Sequence, residues 1–217
     1  MFLLNRFVTP HFLNGCIEVH VIFDDPDRYE MSPKTVERQR RDKLAKPNVN
    51  HVHATFDDSL PPSSKWGGVL KCRECKHNLT SQLGAYMIRL IHPTLLPSTR
   101  FFTAGSFREP MRDHAMCVEH GNPNPFIDEK LTCNIEEGDM RVWMHCKYSV
   151  GTRKLIFSPD TDTYHVGMGL LEDAQNYLSV MFMCQSIGYV THTNFCTCRK
   201  LVELCSLTTV CQLFHHS

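Results

Sequence analysis

Residues 133–167 read CNIEEGDMRVWMHCKYSVGTRKLIFSPDTDTYHVG, and this stretch decides the fold class. Asn134 suits a helix N-cap, and Ile135, Val142, Trp143, Cys146 and Val150 share one apolar face at helical spacing. Gly151 is a natural C-terminal stop. Lys154-Leu155-Ile156-Phe157 then forms a short strand, closed by Ser158-Pro159. Upstream, Arg100-Phe101-Phe102-Thr103 is another strand, ended by Gly105. Strand, helix and strand in this order describe a parallel α/β unit, whose crossover is almost always right-handed.

Working toward the N-terminus, Ile17-Glu18-Val19-His20-Val21-Ile22-Phe23 is rich in β-branched residues and stops at Asp24-Asp25-Pro26. So compact an apolar run fits a central strand covered on both faces. Ser32-Pro33 opens a helix that ends before Pro47 and carries Lys34, Arg38, Arg40, Arg41, Lys43 and Lys46. Residues 51–64 are a polar connector. Leu70, Leu79, Leu83, Met87, Leu90 and Ile91 recur at helical spacing over residues 66–91. Residues 106–133, with two Asn-Pro pairs, read as a long loop. The expected fold is α/β, a parallel central sheet with flanking helices over residues 17–170, preceded by a short segment 1–16. Residues 171–217 hold five charged side chains and five cysteines, and read as a divergent, irregular Cys-rich tail.

The 217 residues are 42% hydrophobic and 21% charged, a globular composition. Equal numbers of basic and acidic residues, 23 of each, exclude a polycation that coats nucleic acid. No apolar run reaches the about 18 residues of a membrane-spanning helix, so no membrane partner is expected. Arg6, Pro10 and His11 interrupt the opening stretch, which therefore lacks the apolar core of a signal peptide. The expected location is intracellular, in nucleus or cytoplasm. Eleven cysteines at irregular spacing then favour free thiols or a metal site over disulfides.

In open parallel sheets, ligands bind beyond the carboxyl ends of the strands. Asp24 follows the strand over 17–23, Asp160 and Asp162 follow the strand over 154–157, and Glu137 and Asp139 open the helix between strands. Carboxylates gathered in one crevice repel and hold one another protonated, a penalty that a divalent cation removes. Oxygen-only ligation suits Mg²⁺ or Mn²⁺, and two such ions about 3.5–4 Å apart clamp the attacking and leaving oxygens of a phosphodiester. The basic helix would hold flanking phosphates. Each motif also has a local reading. Asp24-Asp25-Pro26-Asp27 and Ser158-Pro159-Asp160-Thr161-Asp162 are turn-like. Asn134 with Glu137 matches a capping box, and the basic run matches a solvated helix face. Their joint placement on one sheet edge is what no local rule requires.

With these residues in place, the chain resembles the PIN-like and flap-endonuclease superfamily of 5′ nucleases, including Asteroid-type proteins. The matching elements are Val21-Ile22-Phe23-Asp24-Asp25, Glu137-Gly138-Asp139 and Ser158-Pro159-Asp160-Thr161-Asp162. Residues 15–170 are similar to a multi-copy group of animal proteins carrying this domain. The resemblance implies that Asp24, Glu137, Asp139, Asp160 and Asp162 are the catalytic, metal-binding carboxylates, with Glu136 as the alternative register. It also implies that Lys34, Arg38, Arg40 and Arg41 contact nucleic acid, in the first instance DNA. The implied activity is metal-dependent phosphodiester hydrolysis. The family's first metal-binding Asp lies on a strand upstream of the V-F-D motif, and no acid occurs among residues 1–16 here. The chain therefore reads as a copy shortened at both ends, and a catalytically inactive nucleic-acid- or protein-binding relic is the alternative.

A further alternative is a Zn²⁺-stabilised interaction module built on Cys72, Cys75 and His77, although a structural site needs four ligands and no second C-x-x-C follows. No cysteine lies in an activating context of the kind a nucleophile needs. The remaining histidines read as surface or satisfied core residues.

Overall fold

Strand β1 (Glu18–Ile22) is buried at every position, as its apolar run requires of a strand covered on both faces. The computed structural model describes residues 4–5, 8–25, 36, 40, 73–135, 137–150, 153–158, 163, 165–167, 179–184 and 208–212. The order along the chain is α1 (Thr9–Leu13), β1, α2 (Arg73–Ile91), β2 (Arg100–Ala104), β3 (Ala115–Glu119), β4 (Asn122–Ile127), α3 (Gly138–Tyr148), β5 (Arg153–Ser158), β6 (Ser179–Cys184) and β7 (Thr208–Gln212). Short 3₁₀ turns cover His92–Thr94 and Glu129–Leu131.

The strands form one sheet of order β4-β3-β2-β1-β7-β5-β6. The α/β class holds, but the sheet is mixed where an all-parallel one was expected. β1/β2 and β5/β6 pair in parallel, whereas β1/β7, β5/β7, β2/β3 and β3/β4 are antiparallel. The parallel β1/β2 pair is joined by a connection that contains α2. The expected unit of β2, α3 and β5 does not place its strands side by side, because β1 and β7 lie between them.

Two other expectations change. Residues 106–133 contain the β3–β4 hairpin rather than a long loop. Its prolines, Pro123 and Pro125, lie in β4, the edge strand, where a missing N–H costs no ladder bond. The turn places Gly121 at φ 83°, a left-handed conformation that glycine adopts freely. Segments 179–184 and 208–212 of the Cys-rich tail are sheet strands, and β7 sits between β1 and β5. The observed sheet thus continues past residue 170.

Side-chain alternation along β1 divides the core into two layers. Val19, Val21 and Phe23 pack with Leu4, Val8, Phe12, Met87, Ile88 and Ile91, on the face covered by α1 and α2. Ile22 packs with Phe102, Val142, Trp143, Cys146 and Ile156, on the face covered by α3. Glu18 and His20 share the parity of Ile22 and are equally buried. A charged and a titratable side chain therefore enter the core layer beneath α3.

Candidate functional site

Because β7 runs antiparallel to both β1 and β5, the carboxyl ends of β1, β2 and β5 lie on one edge of the sheet. Just beyond β1, Asp24 Oδ1 accepts a hydrogen bond of 2.9 Å from the Gly138 N–H, the first residue of α3. Glu137 is the N-cap of that helix in an extended conformation, and its side chain makes no capping bond. The Asn134–Glu137 capping box is therefore not what starts α3. Asp24 meets the orphan N–H from 114 residues away. Gly138 makes room for this approach, since a Cβ there would lie 2.8 Å from Asp24 Oδ1. Gly105 fits the same edge with φ 80°, where a Cβ would collide with the Phe23 carbonyl oxygen.

Asp139, in the first turn of α3, accepts a hydrogen bond from the Thr163 hydroxyl. Thr163 Oγ1 also lies 2.7 Å from Ser158 Oγ, at the end of β5, and the Thr163 carbonyl accepts 2.6 Å from Trp143 Nε1. Arg141 is fully buried and ties the approach to α3, donating from Nε and Nη2 to the Ile135 carbonyl at 3.2 and 2.6 Å. Of the expected acids, Glu137 and Asp139 flank Gly138 at the start of α3 and Asp24 reaches the Gly138 N–H there. Asp160, Asp162 and Glu136 lie outside the described residues.

The second acid after β1 has a different partner. Asp25 is buried and receives Arg112 Nε at 2.6 Å and Nη2 at 3.2 Å, an arrangement that anchors the segment after β2 to the end of β1. Of the expected phosphate-contacting residues, Arg40 is exposed, while Lys34, Arg38 and Arg41 lie outside the described residues. For the zinc alternative, Cys72 also lies outside them. Cys75 and His77 are both buried on α2, and two residues apart on a helix they do not share a face. Among the described residues, no group of three or more His, Cys, Asp or Glu side chains is arranged to hold a metal. Asp24, Glu137 and Asp139 offer carboxylate oxygens, hard donors of the kind Mg²⁺ or Mn²⁺ takes, but these three alone do not form such a group.

A second cluster, not anticipated from the sequence, lies in the core beneath α3. His20 Nδ1 and His145 Nδ1 are 2.9 Å apart, and His20 stacks on Phe102 with ring centroids 4.2 Å apart. Glu18 Oε2 lies 3.6 Å from His20 Nε2 and accepts 3.1 Å from the Val150 N–H, while Glu18 Oε1 accepts from Arg100. Lys154 donates from Nζ to the Cys146 and Ser149 carbonyls at the end of α3. Burial pushes the Glu18 carboxyl up, yet His20, Arg100 and the Val150 N–H outweigh it, so the group lies below its ordinary value. Burial holds His20 below the usual imidazole value against the pull of Glu18. Burial, with the charges of His20 and Arg141, holds His145 well below it. Burial also lowers Lys154 and raises the Cys117 and Cys146 thiols to about 12 and about 11. These thiols are the opposite of activated nucleophiles. The available signal was a Glu and a His two apart in an otherwise apolar strand.

No protein-family model, curated protein or solved structure matches this chain. Among the described residues, no helix is long and apolar enough to cross a membrane.

Proposed function

We propose that the edge formed by Asp24, Glu137 and Asp139 belongs to a divalent-cation site that serves phosphodiester hydrolysis in nucleic acid, with Asp160 and Asp162 completing the ligand set. The observation that carries this reading is the Asp24–Gly138 hydrogen bond, which fixes the acid after β1 against the helix that bears Asp139. Asp139 in turn bonds Thr163, which follows Asp162 directly in sequence. In this reading the carboxylates orient the ion, and the Gly138 N–H and Thr163 hydroxyl hold Asp24 and Asp139 in place. A bound Mg²⁺ or Mn²⁺ supplies Lewis-acid polarisation of the phosphoryl group.

Titration of the full chain with MgCl₂ and MnCl₂ in a calorimeter, alongside cleavage of single-stranded and branched DNA, tests the proposal. Heat from at least one ion and cleavage lost in Asp24→Asn are expected. Absence of heat from both ions overturns it.

A second reading is a catalytically inactive, nucleic-acid-binding relic. It is favoured by Asp24 and Asp139 each directing a carboxylate oxygen to a protein donor. It predicts no heat from either ion, with DNA binding that persists and weakens as salt rises.

A further inference from the structure

We propose that the His20–His145 pair is a proton-sensitive latch that holds α3 on the sheet near neutral pH and loosens it on acidification. The inference is independent of the nuclease reading. It begins with the contact between the two Nδ1 atoms, 2.9 Å apart in rings of at most 1% exposure. Two neutral imidazoles can share such a bond only if one carries its proton on Nδ1 and the other on Nε2.

The surroundings select the arrangement. Among the described residues, both Nε2 atoms are buried without a hydrogen-bond partner, but His20 Nε2 has the Glu18 carboxylate 3.6 Å away, close enough for an ion pair, and His145 Nε2 has no such acid beside it. A proton on His20 Nε2 points toward an acceptor, while one on His145 Nε2 would be a donor stranded in the core. The favoured state therefore has His145 Nδ1–H donating to His20 Nδ1, leaving only a lone pair at His145 Nε2.

No proton can then enter without loss. Adding one to His20 Nδ1 sets two donors against each other, or forces His145 into the tautomer that strands its Nε2–H. Adding one to His145 Nε2 buries a charged donor with no acceptor. Among the described residues, the other charged or titratable groups around the pair are Glu18 on β1, Arg100 on β2, Cys117 on β3, Arg141 and Cys146 on α3, and Lys154 on β5. Val210, the β7 residue in register with His20, is aliphatic. The cations oppose a second positive charge and Glu18 favours a first one on His20, so His145 is where acidification meets most resistance. His145 lies in the last turn of α3, and the first residue of the same 11-residue helix donates its N–H to Asp24. Loosening the latch therefore also loosens the acidic edge.

The test is amide hydrogen exchange of the full chain at pH 7.5 and 5.5, corrected for the intrinsic rate change and read on α3. One unit below the ordinary histidine value of about 6.5, an unfolded or detached chain gains about tenfold in population per histidine that stays neutral in the fold. Protection of α3 is expected to fall at least tenfold. His145→Gln, which keeps an amide donor and acceptor but cannot titrate, is expected to remove about tenfold of that fall. Should the variant fail to fold, NMR of the wild-type rings decides. His20 is located by its contact with Phe102, and His145 by its contact with His20. His145 is expected to titrate well below the ordinary value of about 6.5. Unchanged α3 protection across this range, or a His145 ring that titrates near 6.5, overturns the latch.

Discussion

The Asp24 carboxylate meets the Gly138 amide at 2.9 Å across 114 residues of chain, so the acid that ends β1 is also the cap that starts α3. This one contact gives Asp24 a structural role and a candidate chemical role. Two substitutions separate them. Asp24→Ala removes the acceptor and leaves a helix-terminal N–H unmet, at a cost of about 1 kcal/mol. Asp24→Asn keeps an oxygen acceptor but not the charge, and asparagine caps about as well as aspartate. Urea denaturation is expected to show a loss for Asp24→Ala and little change for Asp24→Asn, whereas heat from Mg²⁺ or Mn²⁺ is expected to fall in both.

Arg112 and Asp25 form a pair in which the carboxylate is 1% exposed. Arg112→Ala removes the guanidinium from a buried charge, and breaking such pairs costs about 3 kcal/mol or more. The double variant Asp25→Asn with Arg112→Ala removes the charge as well, and is expected to recover part of that stability. Denaturant midpoints of the two single variants and the double variant measure the coupling. A coupling energy near zero would show that the pair is incidental to the fold.

Glu18 and the histidine pair separate along the pH axis. Glu18 lies below its ordinary value in the fold, so its contribution is present above the unfolded carboxyl value of about 4.3 and is lost as pH falls through the folded value. His20 and His145 also lie below theirs, so the fold loses stability as pH falls below about 6.5. Melting temperature against pH is therefore expected to decline in two stages. Glu18→Gln should lower the plateau and flatten the stage below about pH 4.5, leaving the upper stage in place. If Glu18→Gln instead removes the upper stage, the assignment of the two windows is wrong.

What could be read from the sequence follows from how local the physics is. β1 and α3 were legible because an apolar run and a 3.6-residue period are properties of neighbouring residues. The β3–β4 hairpin was hidden by Pro123 and Pro125, which argue against a strand unless that strand is at an edge. β6 and β7 were hidden because residues 171–217 have little polar contrast to mark where strands stop. The edge position of Asp24 and Asp139 followed from strand order, although the mixed sheet reached it by a different route. β7, antiparallel to both β1 and β5, leaves their carboxyl ends on the same side. The His20–His145 contact spans 125 residues, and no local pattern announces it.

The thiols give the last prediction. Burial raises Cys117 to about 12 and Cys146 to about 11, so at pH 8 both are almost wholly protonated and shielded. The thiolate is the reactive species, and an unfolded cysteine ionises near 8.5. Alkylation with iodoacetamide at pH 8, mapped by mass spectrometry, is expected to leave Cys117 and Cys146 unmodified in the native chain and to label both rapidly in urea. Cys133, which is partly exposed, serves as the internal reference and should react first of the three. Rapid native labelling of Cys146 would mean that α3 leaves the sheet more readily than its packing with Phe102 and Ile156 and the Lys154 bond to the Cys146 carbonyl allow.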